Sequence, residues 1–458
     1  MSYQTRSAQE LSLIRCGRRR IDATAPIARL GYRRRYSWSK RSRVTTGLHH
    51  SRGEAMDALP GVDLTGNLAG DLHGVLREAA RRGPLARDEM TGAIVALRQR
   101  DVELLVRDKR LNGIGLTLFD MMGITDGPLR DWYARLMFTT EGDYHQRMRA
   151  LVSRAFTPRA VAALQDSAAQ LAAAAITSAG QSGDMVPAGA AVAAGLTCRL
   201  LGVPDGDVSM FARWADALSP VFFVMTPEQI DDATRAVVEL QGYVRDLIGR
   251  RRGAPGSDLI TSLLDAEVEG QRLTHDETVV MISNLLVAAH DTTGSQIPCS
   301  ILVALRHRDQ LDGVAEDSAR LSAVVAETMR MEPSVPLIPR TAVAPIDLYD
   351  TVIPAGAMVF PCIAAACRDE SAWEDPDRFH PDRFIRPGTP RPLNFGAGTH
   401  YCLGTALAKL AVEECIRAVL AEVPPLYLTE DPAAIPWRQV LGRSPTRLLV
   451  GSERPALR

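Results

Sequence analysis

Several things the chain lacks narrow what it can be. Its 458 residues hold only seven cysteines (Cys16, Cys198, Cys299, Cys362, Cys367, Cys402, Cys415). That is an odd number without framework spacing and without a signal peptide ahead of it, so the expected setting is a reducing cytoplasm with no disulfides. No apolar run is long and uninterrupted enough to span a bilayer, which argues against a membrane-spanning helix. No internal repeat is visible. The close glycine pairs, Gly113/Gly115 and Gly396/Gly398, lack the strand-turn-helix setting of a nicotinamide or flavin site. Any redox chemistry here therefore needs electrons from another protein.

Charge is nearly balanced over the whole chain, at −1, but unevenly placed. Residues 1–55 carry 13 Lys and Arg against 3 Asp and Glu, a surplus of +10 that leaves −11 on the remainder. Runs such as Arg18-Arg19-Arg20 and Arg33-Arg34-Arg35, with little apolar periodicity, read as a disordered basic extension. Basic composition alone does not make a nucleic-acid arm or a targeting peptide, and Met56 is read as the functional start.

The length of the whole chain, 458 residues, alone suggests two or three domains. Ala86-Arg87-Asp88 and Ala93 to Leu97 read as a strand pair across the turn Glu89 to Gly92, and Asp101 as the cap of a helix through Arg107. Leu111 to Thr140 reads as loop-rich. Helical patterns run to about Arg330, and after Pro333 strands and loops lead to a glycine-rich bend.

That bend, Phe395-Gly396-Ala397-Gly398-Thr399-His400-Tyr401-Cys402-Leu403-Gly404, opens onto an apolar-periodic helix from about Leu403 to Leu420. Matching its Phe, three glycines and Cys by chance has odds on the order of 10⁻⁷ per start position. A lone cysteine is ordinarily a small buried hydrophobe, but glycines at 396, 398 and 404 leave room for a flat, bulky group against the backbone. The start of the helix favours a thiolate. No second Cys or His stands at zinc-site spacing, and His400 sits on the same bend, so a four-ligand zinc cage does not fit. One axial thiolate on a haem iron fits better, although bend and helix alone give only a metal-bound thiolate.

Phe395 to Ala408 (FGAGTHYCLGTALA) resembles the haem-binding signature of the cytochrome P450 family. The resemblance implies a mainly α fold with a small β region, one large domain over 56–458 enclosing haem b (iron protoporphyrin IX), with Cys402 as the iron's ligand. It implies that Phe395, Gly396, Gly404, Ala408 and Ala288 line the cofactor. Ala288-Ala289-His290-Asp291-Thr292-Thr293, inside a helix from about His275 to Arg306, resembles the family's oxygen-activation motif. An acid beside a hydroxyl in a buried helix is costly unless something needs it. Here the resemblance implies a hydrogen bond from Thr292 to bound oxygen and proton delivery from Asp291 through waters. Ala289 stands where the family usually has glycine, adding a methyl to the groove.

Glu327-Thr328-Met329-Arg330 alone is an ordinary i,i+3 pair. With Arg383 in Pro376 to Phe384 it resembles the family's Glu/Arg/Arg network, which implies a structural role beneath the haem. His145-Gln146-Arg147-Met148-Arg149 could be a solvated basic face; its likeness to the family's propionate-binding helix assigns His145 and Arg149 to the propionates, with Arg340 and His400 in the remaining positions. Arg147 is expected to face solvent or a partner. By resemblance the substrate pocket draws on 113–138, 219–226, 287–292, 335–338 and 440–443, with Met121, Met122, Met137 and Met225 as adaptable lining.

Together these imply a cytoplasmic, monomeric haem-thiolate monooxygenase. It would insert one atom of O₂ into a lipophilic small molecule by hydroxylation or epoxidation, with electrons from a ferredoxin and its reductase, no nucleic acid and no membrane span. The alternatives are a family member that isomerises or couples its substrate without oxygen insertion, and a haem-dependent ligand-binding or sensor protein.

Overall fold

The computed structural model describes residues 58–438 and 442–454. The basic extension 1–55, the start at Met56 and Val440 of the expected pocket lie outside the described residues. Those from Ala58 on belong to one compact unit rather than the two or three domains that length suggests.

Ten helices carry most of the architecture: α1 Gln99–Arg107, α2 Gly142–Ala155, α3 Gln165–Ser182, α4 Val186–Leu201, α5 Val208–Leu218, α6 Pro227–Gly253, α7 Leu259–Asp265, α8 His275–Arg306, α9 Ser318–Met331 and α10 Thr405–Ala421. The α8 helix is the spine. With 32 residues at 1.5 Å each it runs about 48 Å, and it is apolar around most of its circumference, which demands burial on all sides. It packs on α4, α5, α6, α9 and α10. Thr274 starts it with a capping box: its hydroxyl accepts from the Glu277 N–H, and the Glu277 carboxylate accepts from the Thr274 N–H, so two otherwise orphaned donors are satisfied.

The sheet region is small. One six-stranded sheet has the order β1-β2-β3-β8-β5-β4, formed by Gly61–Val62, Leu85–Asp88, Ile94–Ala96, Met358–Pro361, Arg340–Ala342 and Leu111–Gly113. The expected strand pair is its β2/β3 hairpin, with Ala86 opposite Val95. On the far side β5 pairs with β4, setting Arg340 opposite Gly113. Two further two-stranded ribbons complete the β structure: β6 Ile346–Leu348 with β7 Thr351–Ile353, and β9 Tyr427–Leu428 with β10 Val450–Gly451.

Local expectations needed correction in four places. Asp101 does not cap α1: the helix begins at Gln99, whose N–H is capped by the distant Asp369 carboxylate at 2.9 Å, and buried Asp101 accepts from the Tyr349 hydroxyl instead. The stretch Leu111 to Thr140 contains β4 and two short helices, Thr117–Met121 and Pro128–Tyr133. The last long helix begins at Thr405, not Leu403. Arg147 does not look outward freely; it pairs with Glu277 and so ties α2 to the first turn of α8.

Glu327, Arg330 and Arg383 form the expected network. Glu327 and Arg330 are fully buried and joined by two bonds, at 2.7 and 2.9 Å, while Arg383 reaches Glu327 at 3.2 Å. The remaining polar atoms are used as well: Glu327 accepts from the His380 N–H, and Arg330 donates to the Cys367 and Pro376 carbonyls. Paired and extensively hydrogen-bonded charges of this kind can be buried at a reduced desolvation cost.

Candidate active site

The bend before α10 shapes one wall. Gly396 and Gly398 adopt φ of +64° and +68°, which a side chain would resist. At Gly398 a Cβ would also press on the Arg107 backbone at 3.2 Å. The turn is closed by the Cys402 N–H donating to the Phe395 carbonyl at 3.0 Å and the Gly396 N–H to Leu393. This leaves the Cys402 side chain exposed to a cavity of about 450 Å³. The opposite wall is α8, whose Ala288, Ala289, Asp291 and Thr292 reach the same cavity.

All twelve residues singled out from the sequence line this cavity: His145, Arg149, Ala288, Asp291, Thr292, Arg340, Phe395, Gly396, His400, Cys402, Gly404 and Ala408. Four separate stretches of chain supply them, and no property of any one stretch requires the others to arrive.

Cys402 differs from the expectation of a ready thiolate. Burial pushes its pKa up, against the pull of the Gly404 N–H, the Thr405 hydroxyl and the Arg149 charge. The helix start alone does not outweigh the missing water. A coordinated cation would supply the remaining positive charge, since a coordinating thiol is deprotonated by its metal.

The cationic side of the cavity has spare capacity. His145 is 1% exposed, yet neither ring nitrogen has a partner among the described residues. Its ring lies 4.3 Å from that of His400, and burial together with the His400 charge lowers its pKa to about 4. Arg149 donates to the Tyr401 carbonyl, and Arg340 to its neighbour Pro339. Burial lowers the pKa of both guanidinium groups, as befits cations short of counter-charge. A flat, doubly anionic macrocycle fits this donor set and the glycine-backed wall. Glu141, placed just ahead of α2, accepts from His400 at 2.9 Å and from the Gly113 N–H at 2.9 Å; it was not picked out in the sequence.

On α8, the Thr292 hydroxyl donates to the Ala288 carbonyl at 2.7 Å, so its lone pairs remain free for a second partner. Asp291 forms an ion pair with Arg438 at 3.0 Å, and Arg438 also donates to Ser295. Nothing local in the sequence marks Arg438, which stands almost 150 residues away. His290, between Ala289 and Asp291 in sequence, turns to the other side and meets Asp216 at 2.9 Å.

The rest of the lining is mostly apolar and comes largely from the expected stretches, including Ile114, Tyr133, Phe138, Phe222, Val335 and Leu337. Of the four methionines only Met137 lines it. Met121 is exposed, and Met122 and Met225 are tied to each other through the Met225 N–H and the Met122 sulfur. Thr197, Leu200 and Leu201 of α4 and Asn284 of α8 also line it and were missed, because helix periodicity reports that a face is buried and not what it faces.

A thiol at the foot of a largely apolar cavity, a set of cations and an acid-alcohol pair define a haem-thiolate redox enzyme. The sequence profile described as Cytochrome P450 matches residues 207–424. The chain is 35% identical over 308 residues to cytochrome P450 monooxygenase PikC of Streptomyces venezuelae, covering 66% of this chain and 72% of that one. It is 30% identical over 376 residues to luteothin monooxygenase of Streptomyces thioluteus, covering 80% and 89%. Among solved structures, the LnmA cytochrome P450 hydroxylase of Streptomyces atroolivaceus matches with a TM-score of 0.69 at 29% identity, covering 84% and 97%. Cytochrome P450 CYP109Q5 of Chondromyces apiculatus matches with a TM-score of 0.74 at 26% identity, covering 85% and 98%. This chain belongs to the cytochrome P450 family, oxygen-incorporating oxidoreductases whose cofactor is haem b. Among the described residues no helix is long and apolar enough to cross a membrane.

Proposed function

We propose that Cys402 would supply the thiolate that binds the haem iron and that the enzyme inserts one atom of O₂ into a hydrophobic small molecule by hydroxylation or epoxidation. The observation that carries this reading is the convergence of all twelve residues, from four stretches of chain, on one cavity. Haem b, when bound, supplies oxygen activation sharpened by the electron-donating thiolate.

The chain's own residues do the rest. His145, Arg149, Arg340 and His400 would hold the propionates through charge-assisted hydrogen bonds. Gly396, Phe395, Gly404, Ala408 and Ala288 shape the slot. Thr292 keeps its own proton on the Ala288 carbonyl and accepts from a water, fixing a proton donor where oxygen is reduced. Asp291, steered by Arg438, relays protons from solvent-side waters toward that point. The apolar lining excludes other water and selects lipophilic substrates. Likeness to the bacillaene polyketide synthase cytochrome P450 PksS, at 26% identity, and to the hydroxylase named for 6-deoxyerythronolide B makes polyketides a first substrate class to screen.

With no nicotinamide or flavin fingerprint in the sequence, electrons come from a ferredoxin and its reductase. Exposed Lys409, whose ammonium lies 6.0 Å from the Phe395 ring, offers an acidic partner a cation beside the bend; Arg147 does not, being paired with Glu277. The test is turnover of a polyketide and steroid panel under ¹⁸O₂ with a surrogate ferredoxin system. One labelled oxygen per product molecule is expected; product formed without label would assign isomerisation or coupling instead.

A further inference from the structure

Asn284 precedes Ala288 and Thr292 by one and two helical steps of four, so the three share one face of α8. Its Cα stands about 12 Å along the helix axis from that of Thr292. The side chain is 4% exposed and lines the cavity. Its Oδ1 is buried without a partner among the described residues.

The contrast with Gln296, on the same helix and lining the same cavity, is informative. Gln296 is fully used: its Nε2 donates to Ser300 at 3.1 Å and to the Glu332 carbonyl at 3.0 Å, and its Oε1 accepts from the Ser334 N–H at 3.0 Å. A structural amide in this helix is therefore satisfied. Asn284 is not, and an unpaired buried amide costs stability that a leucine would not.

Leu285, Leu200, Leu201 and Leu259 line the cavity with it. Thr197 adds a hydroxyl whose proton is already on the Ala193 carbonyl at 2.7 Å. Among the described lining residues the one carboxylate is Asp291, which is paired with Arg438, so no free negative charge awaits an ammonium group. What fits a neutral, unpaired amide in an apolar wall is a neutral group that both donates and accepts.

We infer that Asn284 is the polar anchor of the substrate pocket and binds an alcohol carried by an otherwise apolar, rigid substrate, about 12 Å from the part presented to Thr292. The inference rests on the proposed monooxygenase reading. A pocket built around such a bond rejects the analogue that lacks the hydroxyl, because the amide is then left buried and empty.

The test uses haem-loaded full-length protein and three matched pairs: androstanol and androstane, cedrol and cedrane, dodecanol and dodecane. Binding is read by equilibrium dialysis, which needs no spectral response. At least one alcohol is expected to bind about tenfold tighter than its parent hydrocarbon, and Asn284→Leu to bring that ratio near one by weakening the alcohol alone. A second readout needs no ligand: Asn284→Leu is expected to raise the melting temperature, since it removes an unsatisfied amide. Absence of any alcohol preference, a preference that survives in Asn284→Leu, or a lowered melting temperature would each overturn the assignment. The carbon-monoxide spectrum of the same reduced preparations separates this from failure of the haem-thiolate reading, which Asn284→Leu leaves untouched.

Discussion

Gly189 of α4 presses on the carbonyl of Gly294 in α8, so closely that a Cβ on Gly189 would meet that oxygen at 2.2 Å and the Pro298 ring at 2.8 Å. Pro298 has no N–H to give the Gly294 carbonyl four residues back, and α4 approaches where that hydrogen bond is missing. The crossing lies two residues past Thr292 and fixes the height of the segment that carries the acid-alcohol pair. Gly189→Ala must push the helices apart, at about 1–3 kcal/mol for overpacking, seen as a lowered melting temperature. Gly249→Ala, in α6 with open space around it, is the control and is expected to be neutral or slightly stabilising.

The Glu327 network makes a different kind of prediction. Glu327→Gln leaves Arg330, which is completely buried, and Arg383 without their counter-charge. Removing one partner of a buried pair costs about 3–5 kcal/mol. The expected result is poor haem retention on gel filtration and low expression of folded protein, not slow turnover in well-loaded enzyme.

Thr292→Ala should separate binding from chemistry. The methyl cannot bond the Ala288 carbonyl or hold a water, so proton delivery fails while the apolar lining is untouched. Substrate affinity is expected to stay within about twofold, with product formed per electron pair falling about tenfold or more and the balance appearing as hydrogen peroxide. Fully coupled oxygenation by the variant would remove Thr292 from the proposed relay.

Stability should fall on acidification through a cluster far from the bend. Burial, and then the Arg368 charge, lower the pKa of His73 despite its bond to Glu332 at 3.0 Å. The His73, Arg443 and Arg368 charges hold Glu332 well below the usual carboxylate range, against its burial. Both groups bind fewer protons folded than unfolded, so the sign is the same. The histidine contribution fades as pH drops below about 6.5, and the carboxylate contribution below about 4.3. The melting temperature is expected to fall between pH 7 and pH 5, and to fall less in His73→Gln.

What could be read from the chain alone divides along physical lines. The Cys402 bend is a contiguous motif that by itself suggests a metal-bound thiolate, whereas the Asp291-Thr292 step and the Glu327/Arg330 pair took their meaning from the family resemblance. The α8 helix was legible because apolar periodicity is local. Asp101 was misjudged as a cap because the true cap, Asp369, is brought to Gln99 only by tertiary folding. Arg438, Glu141 and Asn284 were invisible for the same reason: a polar side chain gains its meaning from the distant groups it meets or fails to meet.

The central claim is that Cys402 is the thiolate ligand of the haem. It is tested most directly by the absorption spectrum of the dithionite-reduced, carbon-monoxide-bound protein, recorded beside Cys402→His. The account predicts a strongly red-shifted Soret band for the wild type, lost in the variant. A wild-type band typical of histidine ligation, or one unchanged by Cys402→His, would contradict it.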